Sequence, residues 1–281
     1  MKRRTRRIFP LLCAMLIVLV NIACEKVSFD KPQHTDTPEQ PGVNDDNDDD
    51  DADKTCGIDV QVTPFVITRS VEYPPSSDKL TFAVFDSNRK RVGMALQRRD
   101  EMEDFGHWHQ NFKPGKYSLI IIGHNTYYDV EIANLDSVGF FDDIIRETYS
   151  KKIDFELKAG ETLSMPVTLD CITTKLKMQF VDAMPKDAWS IRVILSKGDY
   201  LFNPLTGFAL SNLPKPLYFT VPDSVRGKAG YTIYINRFLM QKTDVIDMTA
   251  NIINIESDDV KSYQLTGIQA EIGKTSEIEV K

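Results

Sequence analysis

The chain has 281 residues, and its 41 acidic and 34 basic side chains give a formal net charge of −7. With only 14 glycines and 14 prolines, and with 10% aromatic residues, it is neither collagen-like nor wholly disordered. A nucleic-acid binder needs clustered lysines and arginines to neutralise phosphates. We therefore expect no nucleic-acid partner for this acidic chain.

The first residues have the layout of an export signal. Five bases lie within residues 1–7, and an apolar run follows from Ile8 to Val20. Thirteen apolar residues are too few to span a bilayer, which takes about 20 as a helix. The pattern predicts a cleaved signal peptide over residues 1–23.

The end of this segment, Leu19-Val-Asn-Ile-Ala-Cys24, resembles a bacterial lipobox, with small Ala23 before a cysteine. That resemblance implies that Cys24 is diacylated and becomes the first residue of the mature chain. Several acyl chains hold a soluble domain on a membrane where one chain would not. The alternatives are an ordinary thiol after a conventional cleavage site and an uncleaved anchor.

Residues 24–55 are predicted to be a disordered acidic tether. Residues 25–54 contain eleven acids, three bases and almost no large apolar side chain, so they have little surface to bury. Their net charge is −8, and removal of the five bases of the signal peptide leaves the mature chain at −12. The predicted folded part therefore has a net charge of only −4.

From Cys56 onward, apolar residues alternate with a period of two, which predicts strands. In residues 56–170 the predicted strands are Ile58–Val62, Leu80–Phe85, Phe105–Phe112, Tyr117–Ile122, Tyr128–Ile132, Lys152–Leu157 and Leu163–Leu169. A type II turn at Lys113-Pro-Gly-Lys116 predicts that the strands beside it are antiparallel neighbours. Apolar residues at helical spacing predict one short helix over Asp136–Arg146.

Residues 171–281 repeat this pattern. Predicted strands include Leu176–Phe180, Ile191–Leu195, Tyr231–Ile235, Ile246–Ile252, Ile268–Ile272 and a last strand within Thr275–Lys281. Strand spacing of about 8 to 12 residues, without a helix at each crossover, favours antiparallel sandwiches. We therefore predict an all-β chain with two tandem antiparallel β-sandwich domains, 56–170 and 171–281.

Together, the lipobox, the tether, Lys79–Asp86, the Phe112–Tyr117 turn and Cys171–Phe180 resemble the fimbrillin-associated anchor lipoproteins of Bacteroidales. The resemblance covers nearly all of residues 24–281, by pattern and order. It implies two transthyretin-like domains, attachment to the outer membrane, and a non-enzymatic role as anchor or minor subunit of a type V fimbria. It also implies fimbrillin or other pilus subunits as partners, through pairing at sheet edges.

Stalk subunits related to that family lose their first strand after an arginine and accept a donor strand from the next subunit. Arg69 is the candidate cleavage site for such a step here, and an uncut loop arginine is the alternative. The last predicted strand lies at the end of the chain and leaves no extension to donate. If Arg69 stays uncut and the first strand is retained, the subunit cannot polymerise at that end, and the C-terminus also favours an anchor over a polymerising subunit.

Two cysteines, Cys56 and Cys171, remain after the signal peptide and Cys24. In an exported protein they either form a disulfide that encloses about 115 residues or stay as buried thiols. Alkylation with and without reductant distinguishes the two alternatives.

Catalytic and cofactor motifs are absent from the sequence: it has no nucleophile elbow, phosphate loop or Cys-x-x-Cys. His107 and His109 share one strand face but have no third metal ligand in the pattern, so we expect no metal site. The alternative function is a surface lipoprotein that binds a host protein or glycan. Trp108 or Trp189 would then be the sugar platform, although a tryptophan is more often a core residue.

Overall fold

In the computed structural model, residues 55–63, 78–126, 128–130, 132–140 and 145–281 are described. The predicted signal peptide, Cys24, almost all of the tether and Arg69 lie outside these residues. The described residues belong to one compact unit. No helix within them has the length and apolar character to cross a membrane.

The first half of the described chain contains nine strands. In chain order they are β1 Cys56–Val62, β2 Lys79–Asp86, β3 Arg91–Arg98, β4 His107–Phe112, β5 Gly115–His124, β6 Val138–Gly139, β7 Tyr149–Leu157, β8 Thr162–Val167 and β9 Asp170–Cys171.

The second half contains eight strands and one turn of 3-10 helix, Asp223–Val225. The strands are β10 Thr174–Phe180, β11 Ser190–Leu195, β12 Leu201–Phe202, β13 Leu217–Thr220, β14 Tyr231–Arg237, β15 Thr243–Ile253, β16 Asp259–Glu271 and β17 Thr275–Val280. The predicted all-β fold is confirmed.

Each half forms two facing sheets, and the strand order is the same in both halves. The small sheets run β4-β1-β8 and β14-β10-β17. The large sheets run β3-β2-β5-β7-β9 and β13-β11-β15-β16. Pairing is antiparallel except for β1 with β8 and β10 with β17, where the first strand of a sandwich lies parallel to its last. The two halves are therefore copies of one seven-strand plan.

Each sandwich has its own apolar core because its strands turn alternate side chains inward. In the first, Ile58, Val60, Leu80 and Phe82 are fully buried and belong to one cluster. Leu176, Met178 and Phe180 on β10 occupy the equivalent place in the second.

A third cluster lies on the outer face of the first large sheet and draws on both halves. It packs Phe85 and Ile120 with Phe202 and Phe238, and the Phe202 and Phe238 ring centroids are 4.5 Å apart. Beside it, β6 pairs with β12 across the two halves.

The structure corrects three local predictions. Asp136–Arg146 is not a helix, because Val138–Gly139 is extended and pairs with Leu201–Phe202, and residues 141–144 lie outside the described part. Tyr128–Ile132 contains no strand among its described residues. The strands around Lys113–Lys116 are not neighbours, because β4 pairs with β1 while β5 pairs with β2 and β7.

Candidate functional site at the sheet edges

The first strand, β1, is the centre of its small sheet. It pairs antiparallel with β4 over six residues and parallel with β8 over another six. Its inward side chains Ile58 and Val60 are fully buried, and Val62 is nearly so. Removing β1 would separate β4 from β8 and expose the core, so a sandwich that keeps β1 has no vacant strand position in this sheet.

The edge of the first large sheet is β3, a strand that the sequence reading missed. Val92, Met94 and Leu96 are 41%, 39% and 36% exposed, and all three lie on the outer side of the sheet. Within the described residues β3 pairs only with β2, so its second edge has no strand beside it. The alternation of Val92, Met94 and Leu96 with smaller residues was the signal available in the sequence.

The inward-facing residues of β3 contact the small sheet. Gln97 is buried, and its amide donates to the carbonyl of His107 at 2.7 Å and accepts from the N–H of Gly106 at 2.8 Å. Gly93 lies under the Phe112 ring, where an added Cβ would approach the ring to 3.0 Å. These contacts tie the edge of the large sheet to β4 of the small sheet.

The arginines at the ends of β3 are held by acidic side chains and a backbone carbonyl. Arg89 pairs with Asp136, and the Arg91 guanidinium donates to the carbonyl of Ile132 at 2.9 Å. At the other end Arg98 pairs with Asp129 at 2.5 Å and with Glu101 at 2.8 Å. These contacts fix the basic side chains around the exposed apolar row.

The edges of the second large sheet are protected by other means. β13 has only four residues. β16 is interrupted by a bulge at Gly267, whose φ is +73° and whose N–H donates to Asp247 Oδ1 at 2.9 Å. Its exposed side chains include Ser262, Gln264 and Thr266. Bulges, short strands and polar side chains are the usual protections of a sheet edge.

Cys56 and Cys171 are free thiols in the structure. Cys56 is buried and donates to the carbonyl of Phe112 at 3.2 Å, whereas half-buried Cys171 donates to the carbonyl of Thr173 at 3.5 Å. Burial raises the pKa of both thiols. The geometry thus places each thiol in its own hydrogen bond and does not bring the two together.

His107 and His109 are exposed on β4, on the strand face expected from their spacing. His107 Nε2 lies 2.5 Å from Asp59 Oδ1 on β1, and Asp59 is directly opposite His109 in the ladder. No group of three or more metal-ligating side chains is gathered anywhere in the described residues. His107 and Asp59 therefore form a hydrogen-bonded pair on the protein surface.

The two tryptophans differ in their exposure to solvent. Trp108 is 8% exposed, and its ring centroid lies 5.2 Å from that of Phe82, so it is a core residue and not a sugar platform. Trp189 is 48% exposed, and the Arg226 guanidinium lies 5.5 Å from its ring centroid.

A shallow cleft of about 450 Å³ lies at one end of the first large sheet, lined in part by Asp86, Asp154 and Glu156. The Asp86 carboxylate accepts from the N–H groups of Asn88 and Lys90. Asp154 pairs with Lys152 at 2.6 Å, and its pKa is lowered by this contact and by the Ser118 hydroxyl. Both carboxylates thus make structural contacts, and the lowered pKa of Asp154 keeps that side chain ionised at neutral pH.

The sandwiches define the chain as an all-β protein with a duplicated seven-strand plan. No protein-family model matches it, and no curated protein matches its sequence. The solved structure of a candidate adhesin from Bacteroides ovatus aligns with a TM-score of 0.53 at 13% identity, covering 86% of this chain and 98% of that chain. At this identity the comparison establishes a shared fold.

Two further solved structures align at lower scores. The fimbrial anchor protein Mfa2 from Porphyromonas gingivalis gives a TM-score of 0.45 at 12% identity, over 76% of this chain and 83% of that one. A fimbrial assembly protein from Parabacteroides distasonis gives a TM-score of 0.39 at 11% identity, over 80% of this chain and 90% of that one.

Proposed function

We propose that the chain is a non-enzymatic, cell-surface lipoprotein that serves as the anchor or a minor structural subunit of a type V fimbria. Its parts are a signal peptide over 1–23, a tether over 24–55 lipidated at Cys24, and two sandwich domains, 56–170 and 171–281. Fimbrillin or other pilus subunits are its partners, and the outer membrane holds it by the lipid. The lipobox, the tether and the fold shared with a candidate adhesin support this proposal.

The observation that carries the proposal is the position of β1. Because β1 is paired on both sides and supplies fully buried Ile58 and Val60, the sandwich is complete with its first strand in place. A subunit that polymerises by strand exchange must instead offer an unfilled position. A complete first sandwich fits a subunit that ends a fibre and keeps Arg69 uncut.

Gene deletion tests the function. We expect the deletion strain to have fimbriae of altered number or length, or to shed them into the medium. Complementation with Cys24→Ser should restore the folded chain without its attachment, and Cys171→Ser is the matched control because it removes a thiol outside the lipobox. Fimbriae of unchanged number, length and attachment in the deletion strain would refute the proposal.

Intact mass of the mature chain tests the retention of β1. The expected mass corresponds to a chain that begins at lipidated Cys24 and ends at Lys281. A mass that begins at Ser70 would show that Arg69 is cut and that the chain is a polymerising subunit.

A second function is favoured by one observation, the exposed Trp189 beside Arg226. An exposed indole offers a flat apolar face for a sugar ring, and the guanidinium offers donors for its hydroxyl groups. The chain would then be a surface lipoprotein that binds a glycan. Glycan-array binding that is lost in Trp189→Ala and kept in Trp108→Phe would support this function over the fimbrial one.

A further inference from the structure

A line of contacting aromatic rings runs from the first sandwich into the second. His124, the last residue of β5, packs against Phe140 with ring centroids 5.3 Å apart and the rings nearly perpendicular. Phe140 stacks on Phe238 at 6.0 Å, and Phe238 contacts Phe202 at 4.5 Å. All four side chains are buried. Because Phe202 and Phe238 belong to the second half, the His124 imidazole lies at one end of the aromatic contact between the halves.

The surroundings of His124 fit a neutral imidazole. Its Nδ1 accepts from the N–H of Thr126 at 3.2 Å, and its Nε2 has no hydrogen-bond partner among the described residues. Both nitrogens carry a proton in the imidazolium. Nδ1–H can then donate to the Thr126 hydroxyl, 2.8 Å away, but Nε2–H has no acceptor. A buried charge with an unpaired donor is strongly unfavourable, so the charged ring is stable only in water.

The charged groups around His124 do not offset this penalty. Lys79 stands directly opposite His124 in the β2–β5 ladder, and its side chain is only 6% exposed. The acid that acts on the imidazole is Asp129, which is already paired with Lys79 at 2.9 Å and with Arg98 at 2.5 Å. Arg146 adds a further cation, bound to the backbone carbonyl of the residue after His124. Burial and then Lys79 lower the pKa of His124 to about 3, although Asp129 opposes the shift.

We propose that His124 is an acid-sensitive switch that controls the coupling of the two sandwiches. At neutral pH the uncharged ring packs on Phe140, and the line of rings holds the halves together. In acid the protonated ring moves into water and Phe140 leaves Phe238. The neighbouring β6–β12 pair then opens, while each sandwich keeps its own core. The switch is a property of the fold and does not rest on the proposed fimbrial function.

The size of the effect follows from proton linkage. The imidazole of His124 has its ordinary pKa of about 6.5 when it is exposed and a pKa of about 3 when it is buried. The open form therefore binds the proton more strongly, and acid favours opening. The equilibrium constant for opening should rise roughly 80-fold between pH 7 and pH 4.5, and about tenfold per pH unit below pH 6.

Native-state hydrogen exchange on the purified mature chain tests the switch. Protection factors corrected for the intrinsic pH dependence of exchange are compared between β6 with β12 and the central strands β1 and β10. We expect protection at the β6–β12 pair to fall roughly 80-fold between pH 7 and pH 4.5, while β1 and β10 stay protected. Constant protection at β6–β12 would overturn the proposal. An equal loss in all four strands would also overturn it, because acid would then unfold the whole chain.

Variants identify the titrating group. His124→Gln retains a polar side chain that does not titrate and should abolish the fall in protection, whereas His109→Gln, at an exposed position, should leave the fall unchanged. Glu147→Gln weakens another contact between the halves, the Glu147–Lys175 pair at 2.6 Å, so it should lower protection at every pH and keep the slope. If His124→Gln does not fold, Lys79→Met tests the same point, because removal of the like charge should make the fall shallower.

Fluorescence gives an independent readout, because each sandwich contains one tryptophan. Trp108→Phe leaves a reporter in the second sandwich, and Trp189→Phe leaves one in the first. The urea transitions of the two variants should coincide at pH 7 and separate at pH 4.5, and adding His124→Gln should make them coincide at both. Separate transitions at pH 7, or coincident ones at pH 4.5 with His124 intact, would contradict the switch.

Discussion

Gly139 on β6 lies directly opposite Leu201 on β12 in the ladder that joins the two sandwiches. A Cβ added at Gly139 would overlap Leu201 Cδ2. A side chain at this position would have to displace the end of the Leu201 side chain, and both strands border the apolar cluster shared by the two halves.

Gly139→Val should lower the free energy of unfolding by about 1 to 3 kcal/mol, because the added side chain displaces the Leu201 side chain from its place beside β6. We expect calorimetry to show the two sandwiches unfolding less cooperatively. Adding Leu201→Ala should recover part of the loss by making room, with a coupling of about 1 kcal/mol in the double-mutant cycle. Simple additivity of the two substitutions would contradict the contact.

His124 should make the fold sensitive to acid. It is fully buried, its Nδ1 accepts from Thr126 N–H at 3.2 Å, and burial lowers its pKa to about 3. Lys79 also lowers this pKa, whereas Asp129 opposes the shift. Because the folded-state pKa lies below the unfolded value, stability is full above about pH 6.5 and falls as the pH drops towards 3.

The expected loss from this group between pH 6.5 and 4.5 is about 2 to 3 kcal/mol. Urea denaturation across that range measures it. His124→Gln should flatten the slope, while His109→Gln, at an exposed position, should leave it unchanged. A slope that is the same in wild type and His124→Gln would show that other groups carry the acid sensitivity.

The two thiols should differ in reactivity. Half-buried Cys171 is expected to react with iodoacetamide in the native chain more slowly than a free exposed cysteine, because burial raises its pKa. Cys56, which is 2% exposed, should react only after unfolding. Peptide mass spectrometry on the denatured, unreduced chain should find both thiols alkylated, and two unmodified cysteines released by reductant would instead establish a disulfide.

Gln97 should contribute to the stability of the first sandwich. Gln97→Leu removes the partners of the His107 carbonyl and the Gly106 N–H, and leaving these groups unpaired should cost about 2 to 4 kcal/mol. Gln264→Leu is the control, because Gln264 is an exposed residue on β16. Equal denaturant midpoints for the two variants would mean that water replaces the lost hydrogen bonds.

The alternation of side chains was enough to find most strands and their buried faces. Ile58, Val60 and Val62 on β1, and Leu176, Met178 and Phe180 on β10, point inward as the pattern predicts. Their direction follows from local backbone geometry, which turns successive side chains to opposite faces whatever the rest of the chain does. The all-β class follows from the same signal.

The sequence pattern did not reveal which strands are neighbours. Val138 and Gly139 have apolar residues after them at helical spacing, yet they are extended because Leu201 and Phe202, more than 60 positions away, pair with them. The turn at Lys113–Lys116 predicts neighbouring strands, but the chain crosses there from one sheet to the other.

The composition of the chain and its alternation determined the all-β class of fold, and they predict an acidic tether before the folded part. Whether β3 is an edge strand among the described residues, whether β1 is a central strand and which tryptophan is exposed depend on contacts between distant segments. Such contacts depend on how whole sheets pack, because an edge is defined by the absence of a neighbour, and no local pattern in the sequence encodes that absence.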